Sequence, residues 1–246
     1  MADTVTRKTK STRAKRPTLA GGFSPLRTIK RWLFRGVLTL VALIALWVLS
    51  YRVINPPTTL YMQTERLHLG EIDRRWVDAD DVAPVMLRAV VAAEDANFCQ
   101  HMGFDLDAIK TAIDSGANRG ASTISQQVVK NAFLWHGRSW GRKALEALIT
   151  PLVEMTWSKR RILEVYLNIA EFDEGVFGVD AAARHYFGVG PESLTSAQAA
   201  RLAMVLPAPK VRSADSPNAQ QRRRIAIIED GAQLIANDGR AACFED

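Results

Sequence analysis

The sequence predicts a mainly α-helical protein in which one apolar helix precedes a single helical domain. An uncharged run of sixteen residues, 36–51, stands near the N-terminus. From about residue 80 onward, apolar residues recur with the period of a helix nearly everywhere. No run of alternating polar and apolar residues follows residue 60, so no substantial sheet is expected. A chain of 246 residues can bury a sizeable core without a disulfide framework.

The net charge of +6 is concentrated at the N-terminus. The first 35 residues contain ten Lys or Arg residues and one acid, Asp3, which gives +9. The other 211 residues carry 22 basic and 25 acidic side chains, which gives −3. A nucleic-acid partner, which the overall charge would favour, is therefore not expected. The composition also excludes a disordered chain, a collagen and a small cysteine-rich module.

We predict a disordered basic tail over 1–31, a transmembrane helix over 32–52 and a globular domain over 53–246. Residues 32–35 extend the run to twenty, with Arg35 as its one charge near an end, and a helix of that length spans about 30 Å, one hydrocarbon thickness. The alternatives are a buried core helix and a cleaved signal peptide. The run has no polar face, and 51–57 lacks the small residues of a cleavage site. The positive tail predicts a cytoplasmic N-terminus, with 53–246 across the membrane.

Helical periods and capping residues predict the elements of the domain in order. After an extended membrane-proximal segment at about 55–75, helices are expected over 85–95, 123–133, 143–155, 159–169, 183–187, 197–206 and 217–236. Pro151 should kink the third helix, and Ser158 should cap the fourth. Gly188 should end the fifth. Thr195 and Gln198 have the form of a capping box before the sixth.

One carboxylate falls on an apolar helix face. If the helix from residue 85 continues, Glu94, Phe98 and His101 share a face with the apolar positions before them. Burial disfavours the charged form of a carboxylate, and a raised pKa suits a general base or acid. The alternative is a solvated acid at a helix end with a packing histidine. Helical period alone favours that alternative.

A polar stripe is predicted on the next helix. Thr123, Gln127, Lys130 and Asn131 would lie on one face, opposite an apolar stripe. Amides and hydroxyls suit a sugar, and a lysine supplies a point charge for a phosphate. The alternative is an ordinary amphipathic helix with a solvated face.

Three cations, Arg138, Arg142 and Lys143, stand within six residues of one another and shortly before Glu146. An ion pair between Arg142 and Glu146 is the structural alternative. Three cations exceed what one glutamate needs, and together they would suit a pyrophosphate.

The remaining features indicate structure. Tyr166 and Asn168 are expected in the core, and the arginines at 222–224 on a solvated face. No residues are spaced as metal ligands, and no Walker-type or Gly-x-Ser-x-Gly motif is present. Cys99 and Cys243 are expected as two free thiols, although an oxidising compartment would allow them to pair.

In this order, the motifs resemble those of the peptidoglycan glycosyltransferases, family 51. Five segments carry the resemblance: Glu94-Asp-x-x-Phe-x-x-His-x-Gly103, Gly120-x-Ser-Thr-Ile-x-Gln-Gln-x-x-Lys-Asn131, Arg142-Lys-x-x-Glu146, Ile162-Leu-Glu-x-Tyr-Leu-Asn168 and Tyr186-Phe-Gly188. The resemblance covers about 54–225. Because no penicillin-binding domain is present, the chain is similar to the monofunctional, membrane-anchored members. Ser125 stands where the family often has Thr, and a hydroxyl is kept.

The resemblance implies a lysozyme-like, mainly α fold and an inverting glycosyltransferase that polymerises lipid II. Glu94 would be the general base for the GlcNAc 4-hydroxyl of the acceptor. Lys130, Arg138 and Arg142 would neutralise the departing undecaprenyl pyrophosphate. Glu146 would be the second catalytic acid, either holding these cations or assisting the departing group. The other expected substrate-binding residues are Asp95, Phe98, His101, Ser122, Thr123, Gln127 and Asn131.

The resemblance also implies partners and a location. No organic cofactor is expected, and a divalent cation, Mg²⁺ or Mn²⁺, would share the pyrophosphate charge. The growing glycan strand, the lipid bilayer and other cell-wall synthesis proteins are the expected partners. The domain would be periplasmic, on a single-pass inner-membrane anchor. The rivals are a lysozyme-like muramidase or lytic transglycosylase, which would need no cation cluster, and a non-catalytic scaffold.

Overall fold

The computed structural model describes residues 25–116, 120–137 and 139–245. The chain divides into two compact units, Met1–Ile44 and Ala45–Asp246. Helix α1 (Pro25–Tyr51) begins several residues before the predicted position. Leu26–Tyr51 is long and apolar enough to cross a membrane and is largely exposed, so it is a candidate membrane anchor rather than a core helix.

The second unit is mainly helical, as the sequence predicts. Ten helices follow α1 among the described residues: α2 (Leu60–Leu69), α3 (Pro84–Glu94), α4 (Leu106–Asp114), α5 (Ile124–Phe133), α6 (Trp140–Thr156), α7 (Lys159–Ile169), α8 (Val179–Phe187), α9 (Ser196–Val205), α10 (Ala219–Asn237) and α11 (Ala242–Glu245). Three short strands, β1 (Asp73–Arg74), β2 (Glu171–Asp173) and β3 (Val176–Phe177), form one sheet in the order β1-β3-β2. β3 is parallel to β1 and antiparallel to β2.

The core joins two groups of helices. Helix α3 packs on α9 and α10, and α5 packs on α6 and α7. Val90, Val128, Ile162 and Leu202 have no exposed surface in these contacts, and their removal from water stabilises the packing. The end of α3 meets the start of α5 between the groups.

Capping residues fix several helix boundaries as predicted. Ser158 Oγ accepts the N–H of Arg161 at 3.1 Å at the start of α7, and Thr195 forms a capping box with Gln198 at α9. Gly188 adopts a left-handed conformation, with φ of 66°, at the end of α8. Local hydrogen bonds of this kind depend only on nearby residues, so the sequence predicts them well.

One predicted segment is wrong, and one possible continuation of a helix does not occur. The segment expected to be extended at about 55–75 contains α2, because Thr59 caps it and Met62 is fully buried. The helix predicted over 85–95 ends at Glu94 and does not continue, so Phe98 and His101 do not lie on its face. Phe98 lies in a short 3₁₀ turn instead.

The expectation of two free thiols is also wrong, because Cys99 and Cys243 form a disulfide across a separation of 144 residues. The C-terminal helix α11 places Phe244 beside Phe98, with 6.4 Å between ring centroids. This packing brings the two cysteines together. The spacing of two cysteines in a sequence gives no indication of such a long-range contact.

Candidate active site

Glu94 ends α3 at the edge of a cleft. Its side chain is partly buried, and burial raises the pKa of its carboxyl. The amide of Gln127 donates to Glu94 Oε2 at 2.8 Å, and this hydrogen bond lowers the same pKa. The cations of Arg224, Lys130 and Arg212 act in the same direction as the amide. A carboxyl held between these opposing influences suits a general base.

The cleft beside Glu94 has a volume of about 570 Å³. The end of α3 and the start of α5 form one wall, which includes Glu94, Ser122 and Gln127. The other wall comes from the segment after α9 and from the first turns of α10. Its polar lining residues are Arg212, Asn218, Gln220, Gln221 and Arg224. Amides and cations therefore surround a single carboxylate.

A capping box fixes the start of α5 beside Glu94. Thr123 Oγ1 accepts the N–H of Gln126 at 3.2 Å, and Gln126 Oε1 accepts the N–H of Thr123 at 3.1 Å. The N–H of Ile124 donates to Asp95 Oδ2 at 3.0 Å. The residue after Glu94 therefore accepts one of the hydrogen bonds that the first turn of α5 cannot make internally.

The amide of Gln127 is oriented from two sides. Its oxygen accepts a hydrogen bond from the buried Tyr166 hydroxyl at 3.3 Å, which directs the amide nitrogen toward Glu94. One turn further along α5, the side-chain oxygen of Asn131 is buried and has no hydrogen-bond partner within the described residues. An unpaired buried acceptor is costly unless another group satisfies it.

The loop after Glu94 folds back beneath the cleft. Asp95 Oδ1 lies 2.8 Å from His101 Nε2, and both side chains are nearly inaccessible. Gly103 O accepts a hydrogen bond from Thr123 Oγ1 at 2.7 Å. Phe98 is fully buried beneath this loop. The four predicted residues Asp95, Phe98, His101 and Thr123 therefore support the wall that carries Glu94.

Helix α6 organises the cations around one buried carboxylate. Arg142 Nη1 donates to Glu146 Oε2 at 2.9 Å, and Lys143 pairs with the other oxygen. Lys143 also donates to Ser122 Oγ at 3.3 Å. Lys130 interacts electrostatically with both Glu94 and Glu146, and burial lowers its pKa. The Arg142–Glu146 ion pair that the sequence offered as the structural alternative is present, and Glu146 also pairs with Lys143.

The comparisons with known proteins give one family. The model of the Transglycosylase family matches residues 62–231. The chain belongs to the transglycosylase family. It is 60% identical over 218 residues to the biosynthetic peptidoglycan transglycosylase of Jannaschia sp. (strain CCS1), which covers 89% of this chain and 91% of that protein. It is 47% identical over 213 residues, 84% of this chain and 92% of the relative, to the protein of the same name from Rhodospirillum centenum.

The predicted site residues occupy three places in this transglycosylase domain. Glu94, Ser122 and Gln127 line the cleft. Lys130, Asn131, Arg142 and Glu146 lie on α5 and α6, the next elements along the chain. Asp95, Phe98, His101 and Thr123 support the cleft from behind. Arg138 lies outside the described residues.

The second wall of the transglycosylase cleft is absent from the sequence prediction. Arg224 belongs to the run expected on a solvated face; its side chain is exposed, but it donates to Ala93 O at 2.8 Å and lines the cleft. Arg212 is partly buried on the same wall. The packing of α9 and α10 on α3 brings these arginines to Glu94 across more than 110 residues of sequence. The charge of an arginine in the sequence does not by itself indicate that it lines a distant cleft.

Proposed function

We propose that the protein polymerises lipid II into peptidoglycan glycan strands and releases undecaprenyl pyrophosphate, with inversion at the anomeric carbon. The observation that carries the proposal is the partly buried Glu94 carboxylate in a cleft lined by amides and cations. Membership of the transglycosylase family and the names of the relatives support peptidoglycan as the product.

In the proposed reaction, Glu94 accepts the proton of the GlcNAc 4-hydroxyl of the acceptor. The oxygen forms a bond to C1 of the donor MurNAc while the bond from C1 to the pyrophosphate oxygen breaks. The hydrogen bond from Gln127 orients the carboxylate for this transfer. Burial raises the pKa of Glu94, which strengthens it as a base as long as it remains deprotonated at the working pH.

The cations would stabilise charge on the departing pyrophosphate. Electrostatic stabilisation by groups already in place is a major part of catalysis. Glu146 holds Arg142 and Lys143 in a fixed arrangement. These two side chains therefore do not need to reorganise during the reaction. These ion pairs support the first of the two roles expected for Glu146, that of holding the cations. Lys130 and Arg138 keep their predicted role, beside Arg142, of neutralising the pyrophosphate.

A divalent cation would share this charge. Mg²⁺ is commonly held by one or two carboxylates together with substrate phosphates. Among the described residues, no three His, Cys, Asp or Glu side chains come together as a possible metal site. The donor set of the described residues therefore does not fit a metal held by the protein alone, and the pyrophosphate of the substrate would have to supply further ligands.

We propose that 53–246 is periplasmic on an inner-membrane anchor. The candidate span Leu26–Tyr51 and the positive charge before it support this orientation. The disulfide supports an oxidising compartment, because cytosolic thiols are kept reduced. Exposed Trp140, Leu148 and Leu106 give the catalytic unit apolar surface that suits approach to a lipid-linked substrate. Other cell-wall synthesis proteins remain proposed partners.

The test is polymerisation of labelled lipid II by the full chain in detergent. Glu94→Gln should abolish polymer, with a fall of about a thousandfold or more, while circular dichroism shows an intact fold. Glu174→Gln, an exposed carboxylate outside the cleft, is the matched control and should keep full activity. Undiminished polymer from Glu94→Gln would overturn the base assignment. Cleavage of finished glycan without polymer from lipid II would favour the muramidase.

A further inference from the structure

The C-terminal residues lie against the loop that follows Glu94. Residues 238–245 are here called the clasp, and residues 95–103 the Glu94 loop. The Cys99–Cys243 disulfide joins the two covalently. Arg240 Nη1 also donates to the backbone carbonyl of Ala96 at 3.1 Å. Cys99, one of the two disulfide cysteines, lies five residues after Glu94 along the chain.

The clasp has its own attachments to rigid helices. Arg88 of α3 makes a two-point ion pair with Glu245, at 2.5 and 3.2 Å. Arg160 of α7 donates to the carbonyl of Phe244 at 2.7 Å, and the Phe244 side chain is fully buried. The clasp is thus fixed to the same helix that carries Glu94 and to the helix that carries Tyr166.

The opposite side of the Glu94 loop faces the catalytic wall. Asp95 accepts the N–H of Ile124 at 3.0 Å and contacts His101 at 2.8 Å. The loop is therefore held between α5 on the inside and the clasp on the outside. A change at Cys99 can reach Glu94 through only a few bonded and hydrogen-bonded residues.

We propose that the disulfide-linked clasp positions the Glu94 loop for glycosyl transfer, so that the oxidised protein is the fully active form. Cys99, Cys243 and Phe244 are then positioning residues, since none of them lines the cleft. This inference rests on the proposed function for its kinetic consequence. Small displacements of a catalytic group are costly to rate, because the reacting atoms must be aligned.

Opening the clasp is a balanced reaction. A dithiol reagent such as dithiothreitol attacks the disulfide by thiol–disulfide exchange. Two electrons and two protons pass to Cys99 and Cys243, which become thiols, and the reagent becomes a cyclic disulfide. The reaction is reversible on re-oxidation, so one sample can be measured in both states.

The kinetic test uses the full chain in detergent with lipid II. Reduction, or the double variant Cys99→Ser/Cys243→Ser, should lower kcat by about tenfold with little change in KM. Re-oxidation should restore the wild-type rate, and dithiothreitol should not affect the double variant. Arg88→Gln, which keeps the disulfide but removes the ion pair with Glu245, should lower kcat less. An unchanged kcat in the reduced protein would overturn the inference. So would a loss explained wholly by a lower Tm.

Hydrogen exchange gives a readout that does not require activity. Reduction should speed amide exchange within 95–103 while α7 and α9 remain protected. If the oxidised wild type makes no polymer, the proposed function fails, and the exchange measurement still tests the clasp. If the oxidised wild type makes polymer and exchange in 95–103 is the same in both states, the positioning role is wrong.

Discussion

At the scale of single residues, the environment of Glu94 decides its chemistry. Burial pushes the pKa of its carboxyl up, while Gln127 and the nearby cations push it down. Burial makes the Glu94 carboxylate a stronger base, and the hydrogen bond from Gln127 and the nearby cations stabilise its charged form. The sequence identifies Glu94 and Gln127 as candidate site residues, because both lie in short motifs. It does not predict Arg212 and Arg224, whose approach depends on tertiary packing.

The pH dependence of polymerisation should report the pKa of Glu94. A base works only when deprotonated, so kcat should fall as the pH drops through this raised pKa. Gln127→Ala removes a donor that stabilises the carboxylate, so the pKa should rise further and the acidic limb should move to higher pH. The pH profile of kcat measures this shift.

A matched control isolates the effect of the Gln127 amide. Gln233→Ala replaces an exposed glutamine of α10 and should leave the acidic limb where it is. An acidic limb that stays in place in Gln127→Ala, or moves to lower pH, would contradict the interpretation that Gln127 favours the charged form of Glu94.

At the scale of elements, capping residues and helical periods predict the helices, but they do not predict the short strands or the long-range contacts between elements. Thr195 and Ser158 mark helix starts because capping bonds form within a few residues. The strands contain only two or three residues each, too few for an alternating pattern. The Cys99–Cys243 bond and the placement of Arg224 depend on elements far apart in sequence, so no local pattern records them.

The two capping boxes allow a controlled test. Thr123→Ala and Thr195→Ala each remove a cap with Gln at the third helical position, at a cost of about 1 kcal/mol in the free energy of unfolding. Thr123→Ala also loses the buried hydrogen bond to Gly103, so its cost should be about 2 kcal/mol. Chemical denaturation measures both changes.

Activity separates the two caps further. Thr123 supports the start of α5 beside Asp95, so Thr123→Ala should also lower the polymerisation rate. Thr195 caps α9 and is exposed, so Thr195→Ala should change stability alone. Equal rates in the two variants would show that the α5 cap does not position the site.

At the scale of the whole molecule, the last turns of α1 belong to the catalytic unit. Val48 is fully buried, and its carbonyl accepts a hydrogen bond from Trp157 Nε1 at 2.9 Å. Arg161 donates to the carbonyls of Tyr51 and Ile54, each at 3.0 Å. An apolar run predicts a membrane helix but not that its end completes a core. The boundary predicted at 52/53 therefore falls after residues that stabilise the domain.

Two truncated chains test this arrangement. A chain starting at Ala45 keeps Val48 and the carbonyls that bind Trp157 and Arg161, so it should unfold at nearly the temperature of the full protein. A chain starting at Asn55 leaves the Trp157 N–H and the Arg161 guanidinium without these partners and exposes apolar surface, which should cost roughly 3 kcal/mol. Thermal unfolding in one detergent compares them. Equal Tm values would show that the last turns of α1 add nothing to the stability of the catalytic unit.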